Sequence, residues 1–404
     1  MALITLGKIN KYIIFAFLGG IAKCIAGTLL YIYKNKLKKY PFMLGLNAGL
    51  GMTFSLIPEL CLKIKNKGIN NINSSLVDKQ LAINNEYYEN YNKGKLRLKK
   101  FYIILLSAFL DCFQKVLVFL FSYSIDNNVW IFNIIFLSIF SMCILKTKLY
   151  KHQIYSSLIM VILGIFLNIL ILKDMQANKI PALLLSIFIE IIYSLCIVVN
   201  KYGMEFCFCS PYEMIFYEGL FELIFNVIFL SIATNVEINK ESKILEIVKN
   251  SKYGEKIYID NFFAYLNDFE GKEILMFIIT MLSRWIFNLF SLIVVKYYTS
   301  SHVILLLILG EVQNAFFDID GFYIQIIAVV IYIFLLFLLF VFTEIIILNF
   351  WGLDVNTKDR IAERALLAGV EENLVFDDRS NRDSNSNIEV DEGIEFNISR
   401  KSSK

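Results

Sequence analysis

FYIQIIAVVIYIFLLFLLFVFTEIII, residues 322–347, holds a single charged side chain, Glu344, and that only near its end. A helix that crosses a bilayer needs about 20 predominantly apolar residues, and this run exceeds that length. Nine further stretches are of the same kind, near 12–32, 40–62, 101–123, 129–146, 153–173, 180–200, 211–233, 273–296 and 300–317. They are apolar on every face, without the alternation of a membrane barrel, so they read as helices. Helices also satisfy their own backbone groups in lipid. The expected fold is an all-α membrane protein of about ten transmembrane helices, arranged as two sets of five.

Composition agrees. With 57% hydrophobic and 19% charged residues over 404 positions and a mean hydropathy of +0.60, the chain has too little polar surface to wrap a water-soluble globule. The net charge of +3 comes from Lys and Arg residues clustered in loops, where they set topology instead of lining a groove for nucleic acid. The seven cysteines, Cys24, Cys61, Cys112, Cys143, Cys196, Cys207 and Cys209, lie mostly inside expected helices, which argues against a disulfide framework. Cys207 and Cys209 could suit palmitoylation or a metal, but no His or second Cys pair accompanies them, and free thiols are the simpler reading. Lys8 and Lys11 precede the first apolar run as in a signal peptide. That run is long, contains Lys23 and lacks an A-x-A site, so it reads as a retained helix.

The expected layout is a first five-helix unit over 1–173 with an Asn/Lys-rich loop at 63–100, a second over 180–347 with a loop at 234–272, and a tail over 348–404. Low hydrophobicity predicts disorder from about 377, and Ile361, Ala365 and Ala368 with Arg360, Glu363 and Arg364 suit a surface helix between Trp351 and Leu374. Nine Lys and Arg residues in 63–100, with Lys146, Lys148 and Lys151, favour both termini in the cytosol, against which Lys34, Lys36, Lys38 and Lys39 stand. Two sequons, at Asn73 and Asn397, then face the cytosol and stay unglycosylated. The halves share a plan: Val129 opens a helix, a polar hinge at Lys146–Gln153 and a second helix, while Val303 opens a helix, a hinge at Asp318–Gly321 and a last helix. Because five is odd, duplication of such a unit yields copies of opposite orientation, the inverted-repeat architecture of secondary transporters.

The stretch Ile144-Leu-Lys-Thr-Lys-Leu-Tyr-Lys-His-Gln153, with Gly164 in the helix that follows, resembles the junction between helices four and five of the drug/metabolite transporter superfamily. Members with EamA-like and nucleotide-sugar-transporter-like domains have an apolar helix ending in Leu, a basic turn, a Gln and a downstream Gly there. The positions here are Leu145, Lys146 to Lys151, Gln153 and Gly164. The specific likeness covers roughly 101–173, and the ten-helix layout extends it loosely over 12–347. It departs from the family pattern at Asp318-Ile-Asp320-Gly321 and in both long inserts, which bears on substrate class. The resemblance implies a solute carrier in an endomembrane such as Golgi, ER or vacuole, more than in the plasma membrane.

Charges near helix centres cost about 2.5–3.5 kcal/mol each on insertion scales, so each asks for a partner or a task. Seven qualify: Lys23, Asp111, Lys115, Glu190, Glu218, Glu222 and Arg284. Asp111 and Lys115, four apart, can satisfy one another without a substrate. Glu218 and Glu222 share a face and call for a cation or a proton between them. Glu59 and Glu311, nearer helix ends, are expected to snorkel to water. Gly45 and Gly49 form a G-x-x-x-G pair for close packing, as Gly19, Gly20 and Gly27 do on the first helix. Pro41, Pro58, Pro181 and Pro211 fall near helix ends, so no proline-broken helix is expected.

The leading expectation is a secondary carrier that moves a small polar solute by alternating access, with proton coupling left open. Its substrate-binding residues would be Lys23, Glu190, Glu218, Glu222, Arg284 and Asn288. Nucleotide sugars, amino acids and organic cations are the cargo classes in view, and membrane lipid and a second copy the other partners. No cofactor or metal is expected. A membrane-embedded enzyme lacks material, since H-E-x-x-H and G-x-S-x-G are absent and only His152 and His302 occur. A non-transporting scaffold or receptor is the alternative.

Overall fold

A computed structural model describes residues 4–6, 13–32, 40–68, 93–120, 131–147, 149–171, 180–207, 209–238, 251–253, 256–268, 271–308, 322–349, 353, 357, 387–390 and 394–397. In chain order these form strand β1 (Ile4–Leu6) and helices α1 (Ile13–Ile32), α2 (Pro41–Thr53), α3 (Leu56–Gly68), α4 (Lys93–Leu120), α5 (Asn133–Phe140), α6 (Lys151–Ile171), α7 (Ile180–Phe206) and α8 (Pro211–Asn235). An insert follows with β2 (Glu237–Ile238), β3 (Ser251–Tyr253), β4 (Lys256–Tyr258) and α9 (Phe262–Asp268). Then come α10 (Gly271–Tyr297), a short 3₁₀ turn (Ser300–Val303) leading into α11 (304–308), α12 (Phe322–Phe342), β5 (Ile346–Leu348) and the hairpin β6 (Asn387–Val390) and β7 (Ile394–Asn397). Six helices are long and apolar enough to cross a membrane, within α4, α6, α7, α8, α10 and α12. This is a helical membrane protein. The expected surface helix after Trp351, Glu311, the hinge at Asp318–Gly321 and most of the 63–100 loop and of the tail lie outside the described residues.

Lipid exposure is written on the helix flanks. On α6, Leu158, Ile162, Ile165 and Ile169 repeat at helical spacing and are all exposed, a stripe that only an apolar solvent accommodates. The opposite sides meet in a core of Ile131, Leu137, Met160, Leu167, Val198, Ile304, Tyr332 and Leu339. Where helices must touch, glycine permits it. A Cβ on Gly49 would meet the Gly219 carbonyl at 3.1 Å, one on Gly219 would meet Met52 Cβ at 2.6 Å, and one on Gly45 would overlap Asn226. The G-x-x-x-G pair of α2 therefore packs on α8, and because positions 45 to 52 run against 226 to 219, the two helices are antiparallel. The same sense holds for the packed helices α6 and α12, where His152 at the start of α6 lies 3.3 Å from Glu344 just past α12, while Ser141 Oγ just past α5 lies 2.5 Å from Ser300 Oγ of the 3₁₀ turn.

One expectation about backbone fails. The apolar run 40–62 is not a continuous helix: it breaks at Phe54 and Ser55 between α2 and α3. Pro58 supplies the reason, because without an N–H it cannot bond the Phe54 carbonyl, which is taken instead by Ile57 N at 3.0 Å. Trp285 of α10 settles against the break, its Nε1 donating to Ser55 Oγ at 2.8 Å and its ring 6.3 Å from Phe54.

The helix ends are capped by distant parts of the chain. Ser210 begins α8 conventionally, accepting from Glu213 N at 2.9 Å with Pro211 next, and donates to Glu59 Oε2 at 2.6 Å. Glu59 is thus buried, 7% exposed, and does not snorkel as expected, since the hydroxyl meets it inside. Tyr40 gives α2 no side-chain cap. Asp260 of the insert does so, its Oδ2 accepting from Phe42 N at 2.7 Å and Met43 N at 3.3 Å. At the other end of the bundle Lys201 of α7 donates to the Lys296 and Tyr298 carbonyls at the end of α10, at 3.3 and 2.6 Å. Strands β1 and β5 pair there antiparallel, so the beginning of the chain and the end of its helical part lie together.

Candidate functional site

Two stripes of polar residues, each with a spacing of four, face one another in the interior. On α4 the stripe is Ser107, Asp111 and Lys115; on α8 it is Glu218, Glu222 and Asn226. Between Phe101 and Val118 of α4 only Gln114 adds a further polar side chain of this kind, and between Met214 and Leu230 of α8 none does, so the spacing collects polarity on one face of each. The helices pack against each other, against α2, and with α7 and α10 close the interior around the stripes.

Lys115 is the hub. Its ammonium lies 2.7 Å from Asp111 Oδ2, 2.9 Å from Glu222 Oε2 and 3.3 Å from Met52 Sδ. The expected pairing of Asp111 with Lys115 is present, but it is not self-contained, because Glu222 joins from α8 and turns a pair into a triad spanning two helices. Glu222 is 0% exposed, and its second oxygen, Oε1, has no hydrogen-bond partner. Arg284 of α10 acts on Glu222 through its charge and donates to the Leu44 carbonyl of α2 at 3.2 Å.

One turn away, Glu218 meets neutral groups. Ser107 Oγ is 2.5 Å from Glu218 Oε1 and also contacts the Asn200 side-chain carbonyl oxygen of α7. A hydroxyl has one hydrogen and here sits between two acceptors. The set is satisfied either by a proton on Glu218 given to Ser107, which donates to Asn200, or by an Asn200 amide turned so that its NH2 group faces Ser107 and Glu218. Asn226 ends the stripe by donating to the Glu222 carbonyl at 2.8 Å.

The six expected site residues divide. Glu218, Glu222 and Arg284 come together around Lys115. Glu190 belongs to a neighbouring knot in which Asn133 of α5 donates to it at 2.5 Å and accepts from Ser194 at 2.7 Å; Tyr193 stands within electrostatic reach of both Glu190 and Asp111. Lys23 of α1 reaches the Leu307 carbonyl of α11 at 3.5 Å. Asn288 lies half-buried on α10, one turn beyond Arg284. Sequence reading passed over Ser107, Asn200 and Asn133 as neutral, although Ser107 continues the Asp111–Lys115 spacing by one more turn. Lys201, buried near the end of α7, was also missed. Charges with this geometry can hold a proton or a small charged solute between helices; among the described residues no three His, Cys, Asp or Glu side chains converge as a metal would need.

No known family's sequence profile matches this chain, and a search of curated proteins finds none similar to it.

Proposed function

We propose that this chain is a secondary carrier of the drug/metabolite transporter type, which moves a small polar solute across an endomembrane by alternating access. In this reading the ten apolar stretches are ten crossings built as two inverted five-helix units. The single observation that carries it is the interior polar site of Asp111, Lys115, Glu218 and Glu222, which is made from one helix of each unit. A charge cluster that served stability alone would be improved by apolar residues of the same volume, so its presence at the joint between units speaks for a task.

Helix pairing supports the repeat. When each helix is exchanged with the one five crossings later, three packed pairs map onto packed pairs: α1 on α10 becomes α7 on α4, α2 on α10 becomes α8 on α4, and α2 on α4 becomes α8 on α10, whereas α7 on α10 has no comparable counterpart in α1 with α4 among the described residues. Of the pairs that map onto themselves, α2 with α8 and α6 with α12 pack antiparallel. An axis in the membrane plane requires that sense.

Three carboxylates against Lys115 and Arg284 leave one negative charge, which a proton on Glu218 or a cationic group of the cargo neutralises. The test is flux in proteoliposomes across a panel of nucleotide sugars, amino acids and organic cations, with and without a pH gradient. Uptake of one class is expected, surviving deletion of 377–404 and abolished by Glu222→Gln in protein that still folds. Absence of any flux, or flux untouched by Glu222→Gln, gives the place to a membrane scaffold or receptor.

A further inference from the structure

The helix α9 of the insert, FFAYLND, is apolar on both of its faces from Phe262 to Leu266, with Asn267 exposed beyond them. One face is covered by protein: Ala264 and Tyr265 are buried, with the Tyr265 ring 5.3 Å from Tyr40 and 6.5 Å from Phe277. The other face is bare. Phe263 is 54% and Leu266 52% exposed, Phe262 stands beside them, and exposed Tyr253 of β3 joins with its ring 6.3 Å from Phe263. A helix that is apolar all round is a buried helix, and a contiguous exposed apolar patch marks a surface that something covers.

The depth of the patch identifies the cover. Two hydrogen bonds fix α9 to the ends of helices: Asp260, two residues before it, caps α2, and Phe262 N donates to Thr234 Oγ1 at 3.3 Å in the last turn of α8. The apolar span of α10 begins shortly after, at Ile274. At this level the flanks of the neighbouring helices are exposed and apolar as well, Phe229 and Ile232 on α8 with Val236 just past its end, and Ile274, Leu275 and Ile278 on α10. We propose that Tyr253, Phe262, Phe263 and Leu266 form a membrane-docking patch that rests in the boundary between headgroups and acyl chains, where aromatic rings are favoured. The occupant is lipid and not a second copy because the patch continues the lipid-facing flanks of α8 and α10 at the depth where those helices end. It holds whatever the protein carries.

The test uses the full chain in liposomes with Phe263→p-benzoylphenylalanine, irradiated and read by mass spectrometry and gel. Leu158 on α6, exposed on a spanning helix, is the lipid-facing reference, and Lys256, an exposed partner of Glu237 in the insert sheet, the water-facing one. The expected result is a yield of lipid adduct at 263 that matches the Leu158 reference and exceeds the Lys256 one. A yield no higher than at 256, or a crosslinked dimer in place of lipid adduct, overturns the proposal. The same probe at Leu266 repeats the reading from an independent variant, so that a folding defect at one position does not decide it.

Discussion

The middle of the bundle and its ends bury charge in different ways. In the middle, Lys115 is surrounded by full charges and satisfied only because Asp111 and Glu222 approach from two helices. At the ends, Asp260 and Lys201 are buried mainly against the partial charges of helix termini, an acid on the N–H groups of α2 and a base on the carbonyls of α10, with the carboxylate of Glu205 beside Lys201. The ends are capping: each contact finishes a helix that would otherwise leave backbone groups unmet. The middle finishes nothing in the backbone, which is why the functional reading rests there.

That contrast can be broken most forcefully at its hub. Lys115→Met leaves Asp111 and Glu222 as buried acids without their cation, and should lower stability by about 3–5 kcal/mol, the usual cost of removing one member of a buried ion pair. Thermal unfolding in detergent reads it, and the triple variant Lys115→Met, Asp111→Asn, Glu222→Gln should regain much of the loss. If the triple variant is as unstable as the single, the triad is not electrostatically self-contained.

Lys201→Met tests an end. Here only carbonyls at the end of α10 and the half-exposed Glu205, paired at 2.6 Å, lose a donor, so a smaller loss of about 1–3 kcal/mol is expected. A loss as large as that of Lys115→Met would erase the distinction between the two regions.

The smallest effect is a slope. Burial pushes the Asp260 carboxyl up to about 7 from its ordinary 3.8, against the bonds from Phe42 N and Met43 N that favour the ionised form, and its Oδ1 has no hydrogen-bond partner. Between roughly pH 4 and 7 the folded protein therefore holds a proton that the unfolded chain has released, and stability falls as pH rises through that window. Melting temperature measured over this range should decline more steeply in the parent than in Asp260→Asn; equal slopes would show that Asp260 does not titrate there.

Much of the fold was legible because lipid removes choice: each of the six helices long and apolar enough to cross a membrane overlaps one of the apolar stretches read from the sequence. The break in 40–62 was legible too, in Pro58, but its place near a helix end concealed that the missing N–H belongs to a helix continuing beyond it. The short sheet of the insert, β2–β4–β3, lay in a mixed-charge run without alternation to mark it. Within the site, Asp111 with Lys115 could be read from a spacing of four on one helix. That Glu222 completes them, while Lys23 and Glu190 sit elsewhere, depends on which helices touch, and no local pattern encodes that. Asp260 was invisible for the same reason, since it caps a helix more than 200 residues away.

The pairing of β1 with β5 sets the order in which this protein can be finished. Ile4–Leu6 is made about 340 residues before its partner Ile346–Leu348. At ordinary rates of synthesis the first strand waits on the order of 20–70 s with its edge unpaired. β1 can close on β5 only after the last helix has been made, and a nascent protein stalled before that helix would still display the open edge.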